Sequence, residues 1–246
     1  MTSRIAVIGT GFRPQGNSLP PAEIAPIIGS GFEAELVEIP DGIFPGNHEA
    51  RAIVDVQYRD AGRRALAAGF DAVYINTIGD YGLAELRDEL EIPVIGSGET
   101  AYRTAKTIGP FAVVSIWPPS LDFIGARVLA QSGTADNYLG VTNLSEDEDM
   151  DTLADDENFV TDMRCCSLTS MQRIREARDA AIEKDGAAVV ILGCTCMAPA
   201  AAMLPPNDEA VTLDPMTLGY RFAEYCVTHN LLPQDADYNH AREWLI

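Results

Sequence analysis

Lysine is almost missing from this chain: Lys106 and Lys184 are the only two, and 17 basic residues face 37 acidic ones, for a formal net charge of -20. A surface of that sign repels phosphate backbones, so nucleic acid is not an expected partner. The acidity fits adaptation to a salty cytoplasm and fits simple solubility equally, because lysine depletion also accompanies GC-rich coding. Long apolar runs are missing too. The longest, such as Ala187 to Leu192 and Phe111 to Val114, fall far short of the roughly 20 residues a membrane helix needs. Met1-Thr2-Ser3-Arg4-Ile5 passes straight into an apolar strand, without a long apolar stretch and a small-residue cleavage site. The expectation is cytoplasmic residence with no membrane partner.

Cross-linking and chelating residues are sparse. The five cysteines, Cys165, Cys166, Cys194, Cys196 and Cys226, form no pair of Cys-x-x-Cys motifs and have no His-x-x-x-His partner. Neither a disulfide framework nor a zinc site is supported, and the expectation is thiols, most of them small buried hydrophobes. The acidic cluster Ser145-Glu146-Asp147-Glu148-Asp149-Met150-Asp151, continued by Asp155-Asp156-Glu157, lacks the glycine-centred alternation of a calcium loop and reads as a solvated connection. The first loop, Gly9-Thr10-Gly11-Phe12-Arg13-Pro14-Gln15-Gly16-Asn17-Ser18, has neither the third glycine of the dinucleotide pattern nor the Gly-Lys-Ser/Thr of a P-loop. No metal and no cofactor is expected. His48, His229 and His240 fall outside every candidate loop and read as structural or solvent-facing.

What the chain does have is core material, with 47% hydrophobic residues in 246. Segments rich in Val, Ile and Ala, bounded by Gly and Pro, alternate with amphipathic charged stretches, the pattern of an α/β protein with parallel sheets flanked by helices. Strands are expected at Ile5–Ile8, Glu35–Ile39, Ala72–Ile75, Val94–Ile95, Phe111–Ser115, Tyr138–Thr142, Ala188–Leu192 and Val211–Leu213. Helices are expected at Glu49–Ala68, Leu83–Leu90, Glu99–Thr107, Leu121–Gln131, Leu168–Lys184 and Met216–His229. A helix, a short Gly-containing turn and a strand run from Asp60 to Val73, and the order recurs from Arg175 to Val190. That repeat suggests two similar lobes, pseudo-twofold related, facing one cleft. The expected boundaries put residues 1–104 and 215–246 in the first lobe and 105–214 in the second.

Each copy of the repeat ends in a strand whose carboxyl end carries candidate chemistry, the place where parallel α/β sheets bind ligands. In the second copy Cys194 precedes Thr195-Cys196-Met197-Ala198-Pro199, which can begin a helix. A thiol there meets unpaired backbone N–H groups and a helix dipole, both of which favour the thiolate. Gly193 lets a substrate carboxylate approach, and the N–H groups of this loop, through Thr195, can hold it. The plainer alternative is a buried structural cysteine. Cys196, if the helix starts at once, points roughly 200° away from Cys194. In the first copy Asn76 and Thr77 offer an amide and a hydroxyl to a carboxylate or amide, or serve the turn alone. Gly79 belongs to the same loop. Asp80 orients it, binds a substrate nitrogen, or caps the helix beginning near Leu83. Glu99 fits an ordinary helix start. Arg13 is a candidate for a bidentate contact with an anion, or an exposed loop arginine.

The segment from Asp71 to Leu83, with Asn76-Thr77-Ile78-Gly79-Asp80-Tyr81-Gly82-Leu83 at its end, resembles the first active-site segment of the hydantoin branch of the aspartate/glutamate/hydantoin racemase superfamily. Ile92-Pro93-Val94-Ile95-Gly96-Ser97-Gly98-Glu99 is similar to the segment that follows, Leu192-Gly193-Cys194-Thr195-Cys196-Met197 to the second catalytic segment, and Val211-Thr212-Leu213-Asp214-Pro215 to the closing strand and turn. The resemblance implies a cofactor-independent proton transfer at an activated carbon between two cysteines on opposite faces of a small anionic substrate. Cys194 matches the second cysteine. Thr77 stands where the hydantoin branch has its first, and in the alternative register of the glutamate and aspartate branch that place falls to Ile75. The first loop also departs from the family's Asn-Pro-Asn-Thr-like substrate loop. A threonine hydroxyl does not titrate near neutral pH, whereas a thiol starts near a pKa of about 8.5. The expectation is therefore a racemase or isomerase of a carboxylate, amino acid or hydantoin, with a single-thiol decarboxylase or lyase and a silent small-molecule binder as rivals. A homo-oligomer stays open.

Overall fold

The computed structural model describes residues 2–9, 18–150 and 168–244. Arg13, Cys165, Cys166, Asp151 and Asp155-Asp156-Glu157 lie outside the described residues. The chain divides into two compact units, Met1–Thr100 with Met216–Ile246 and Ala101–Pro215.

The first unit is built on a four-stranded parallel sheet of β1 (Ser3–Ile8), β2 (Phe32–Val37), β3 (Ala72–Ile75) and β4 (Val94–Gly96), in the order β2-β1-β3-β4. β3 is buried at all four positions, which a strand covered on both faces requires of an uninterrupted apolar sequence. Burying each large aliphatic side chain there contributes about 1.5–3 kcal/mol against exposure. Helix α1 (His48–Ala67) starts where the Asn47 side chain accepts the Ala50 N–H at 2.9 Å. It packs on β1 and β3 through Val54, Tyr58, Ala61 and Ala65, spaced along one face. Helix α2 (Leu83–Glu89) lies against α1 and β4.

Helix α3 (Ser97–Ile108) follows β4 directly, and the division between the units falls within it. The second unit repeats the sheet with β5 (Phe111–Ser115), β6 (Tyr138–Asn143), β7 (Val189–Leu192) and β8 (Val211–Leu213), again parallel, in the order β6-β5-β7-β8. Helices α4 (Asp122–Ser132), α5 (Leu168–Glu183) and the short α6 (Ala198–Met203) belong to it. Its core gathers Val114, Ile116, Ile174, Val190, Leu192 and Met197. Helix α7 (Pro215–His229) then returns to the first unit, where the Tyr74 hydroxyl donates to the Met216 carbonyl at 2.9 Å and the Tyr74 and Tyr220 rings meet edge to face at 6.2 Å.

The architecture is the expected α/β class, two parallel sheets flanked by helices. The one strand placed clearly differently is β2, which begins at Phe32 and ends at Val37. As an edge strand with Glu33 and Glu35 facing outward, it carries no continuous apolar run to mark its limits. Among the described residues no helix is long and apolar enough to cross a membrane.

Candidate active site

In each sheet the strand order reverses beside the first strand of its unit: β1 has β2 on one side and β3 on the other, and β5 has β6 and β7. Such a reversal is where parallel α/β sheets bind ligands, and Asn76, Thr77, Gly79 and Asp80 follow the carboxyl end of β3 as Gly193, Cys194 and Thr195 follow that of β7, while Arg13 lies outside the described residues. The Asn76 N–H donates to the Ile8 carbonyl at 2.7 Å, and the Gly193 N–H donates to the Val114 carbonyl at 2.7 Å. Both bonds add one rung to the ladder beyond the last paired residue. Thr77 and Cys194 are thus the first residues of their loops released from the sheet, each two positions past its strand.

In the first unit this loop is held from beneath. The Thr77 Oγ1 accepts from the Gly79 N–H at 3.4 Å, the Thr77 carbonyl accepts from the Asp80 N–H at 3.2 Å, and Asp80 itself takes a positive φ of 45°. The buried Asp80 carboxyl accepts the Gly98 N–H at 2.9 Å and the Glu99 N–H at 2.6 Å, two donors of the first turn of α3. It leaves α2 without a side-chain cap, the start of that helix being Gly82 in the left-handed region. Asp80 therefore caps the helix after β4, not the one beginning at Leu83. The loop and α3 approach so closely that a Cβ on Gly98 would run into the Ile78 carbonyl, and one on Gly96 would meet the Asp80 carboxyl at 2.6 Å. Burial pushes the Asp80 carboxyl up to about 8, with the Glu99 charge adding to it and the two N–H donors and Arg87 opposing. Glu99 is itself paired with Arg87 at 2.6 Å. Asn76 is partly exposed, and its Oδ1 lies 3.3 Å from the Tyr74 hydroxyl.

In the second unit, Gly193 is buried against β5, where a Cβ would meet Val113 at 2.9 Å and the Ser115 backbone at 3.1 Å. Cys194, Thr195 and Cys196 are partly exposed. Cys194 keeps extended backbone angles, φ -151° and ψ 137°, and caps a 3-10 turn over Thr195–Met197 that leads into α6. The Cys196 N–H points at the Cys194 sulfur at 3.3 Å, and the two sulfurs lie in contact, with Cα atoms 5.2 Å apart. The expectation that Cys196 would point away fails because Cys194 is not helical: the turn starts one residue later and folds Cys196 back over it. The turn and the six residues of α6 also give a weaker dipole than a long helix would. Among the described residues no group of three or more His, Cys, Asp or Glu is placed to hold a metal ion.

A family model described as Asp/Glu/Hydantoin racemase matches residues 34–223, which include both strand-end loops. The chain belongs to this family. A hydantoin racemase of Paenarthrobacter aurescens is 26% identical over 165 residues, 64% of this chain and 61% of that protein, so the match spans less than two thirds of its relative. The fold is that of an allantoin racemase from Klebsiella pneumoniae, with a TM-score of 0.75, 23% identity, and coverage of 97% of this chain and 93% of that one. An arylmalonate decarboxylase variant shares the fold at a TM-score of 0.59 and 13% identity, over 92% of this chain and 93% of that one.

For this racemase-family chain, sequence reasoning missed two features of the site. The support of Asp80 by the first turn of α3 links residues 18 and 19 positions apart, and only the glycines at 96 and 98 hint that something must pass close. The Arg87–Glu99 pair behind it had no local signal at all.

Proposed function

We propose that this protein is a cofactor-independent racemase or isomerase that moves a proton at the activated carbon of a small carboxylate, amino acid or hydantoin, with the reduced Cys194 as acid/base. The observation that carries the reading is the place of Cys194 within the family match: a partly exposed cysteine, the first residue released from the sheet, beside the switch point of β5 and β7. As thiolate it takes a proton from carbon, leaving an enolate conjugated with the adjoining carbonyl, and as thiol it returns one. The backbone N–H groups around Gly193 and Thr195 suit the substrate's carboxylate or carbonyl oxygen. Asn76, Thr77, Gly79 and Asp80 form the equivalent loop of the other unit, with Asn76 and Thr77 as hydrogen-bonding groups and Arg13 of the first loop as a partner for an anion.

Thr77 favours one rival specifically. Its hydroxyl donates a hydrogen bond but does not exchange protons with carbon at neutral pH, so a single thiol serves a single face. That suits a decarboxylase or lyase in which Cys194 protonates an enolate formed by loss of carbon dioxide or another group. Incubation of the reduced enzyme in deuterated water with hydantoins, allantoin, α-amino acids and substituted malonates decides between them. Deuterium at the α-carbon of recovered substrate supports racemisation, and deuterium in product alone supports the lyase. A Cys194→Ser variant that keeps full activity on any substrate turned over by the wild type would overturn both.

A further inference from the structure

Cys194 and Cys196 are the only two cysteines among the described residues that touch each other, and they do so across one intervening residue with both side chains open to solvent in part. Cys226, by contrast, is fully buried and its thiol is pushed up to about 12 by that burial. The Cα separation of 5.2 Å lies within the span a disulfide bridges without backbone movement. The geometry comes from the 3-10 turn, which Met197 anchors in the core with its side chain fully buried and its N–H on the Cys194 carbonyl at 3.0 Å. A second sulfur is thus held permanently at the one on which the proposed chemistry depends.

We propose that Cys194 and Cys196 form a reversible oxidative modification site for peroxides. The Cys194 thiolate attacks one peroxide oxygen, the O–O bond breaks, and the other oxygen leaves as water or an alcohol once protonated. Cys194 is now a sulfenic acid. The Cys196 thiolate attacks that sulfur, the S–O bond breaks, and the oxygen leaves as a second water. Two thiols have lost two electrons and two protons, and one peroxide has been reduced. A dithiol reductant reverses the step by attacking the S–S bond, passing through a mixed disulfide and leaving as its own cyclic disulfide. Because Cys196 is tethered one residue away, its attack is intramolecular and outruns a second peroxide, so Cys194 is spared the irreversible sulfinic acid. In the disulfide, Cys194 carries neither a proton nor a basic thiolate, so turnover stops. Only this last consequence rests on the reading of Cys194 as acid/base.

The test treats the reduced protein with peroxide and follows two readouts, the mass of the peptide holding both cysteines and turnover of whichever of the hydantoins, allantoin, α-amino acids or substituted malonates the reduced enzyme accepts. In the wild type, the peptide loses two hydrogens, activity falls by about tenfold or more, and dithiothreitol restores both to within about twofold. In Cys196→Ser, basal activity holds, while the same peroxide dose drives Cys194 to the sulfinic acid, which dithiothreitol does not rescue. A wild-type peptide that gains two oxygens on Cys194 instead of losing two hydrogens overturns the proposal, and needs no variant to fold. Formation of the disulfide without loss of turnover upholds the modification site and overturns the acid/base reading of Cys194.

Discussion

Replacing Asp80 by asparagine should invert the order of stability between wild type and variant as pH rises. The native carboxyl is buried and pushed up to about 8, while in the unfolded chain it titrates near 3.8. Between those values the native state holds a proton that the unfolded state has released, so stability is fully present below pH 4 and is lost as pH rises toward 8. Each pH unit in that window changes the folding equilibrium about tenfold, which makes the loss between pH 5 and pH 8 on the order of 4 kcal/mol. Asparagine does not titrate, but its amide nitrogen replaces an oxygen that accepts from Gly98 or Glu99, at a cost of about 1–3 kcal/mol. Wild type should therefore be the more stable at pH 4 and the less stable at pH 8, with urea unfolding midpoints crossing in between. Parallel curves, or a wild type that gains on Asp80→Asn as pH rises, would show that the two N–H donors outweigh burial and hold a carboxylate, and would refute the reasoning.

Thr77→Cys should create or raise racemisation by supplying a second titrating group at the matching strand end, read as deuterium exchange at the α-carbon; unchanged exchange would argue that Thr77 does not meet the substrate. Gly98→Ala should destabilise the fold by about 1–3 kcal/mol, because the backbone carbonyl of Ile78 must give way to the new methyl group; a denaturation midpoint equal to wild type contradicts the close approach. Tyr74→Phe should cost about 1–2 kcal/mol by leaving the buried Met216 carbonyl without its hydroxyl donor, and equal stability by urea unfolding would count against that bond.

The sheet strands that are buried on both faces were legible in the sequence because their apolar runs are continuous: Ala72–Ile75 and Phe111–Ser115 fall where the pattern puts them, and Val189–Leu192 within one residue. So do the amphipathic helices, to within a residue or two. Features that depend on chain segments far apart in sequence were not. Asp80 looks like a local cap because Asp before a helix usually is one, and nothing nearby says that a different helix start supplies the donors. Cys196 was misread for a local reason: the helical period was counted from Cys194, although that residue still has strand-like backbone angles. Side-chain direction changes sharply when a turn begins one residue later, so the sequence pattern identified the loop but not the contact inside it.

The return of α7 to the first unit sets an order of events during synthesis. Ile5, Tyr74 and the other sheet residues emerge early, but the rings of Tyr220, Phe222 and Trp244 that complete this unit's core follow only after residues 101–215 have been made. At ordinary elongation speeds that interval is on the order of ten seconds. Through it, the inserted unit can complete its own sheet while the earlier one waits with apolar surface uncovered, so nascent-chain chaperones should engage the first hundred residues for longer than the second unit.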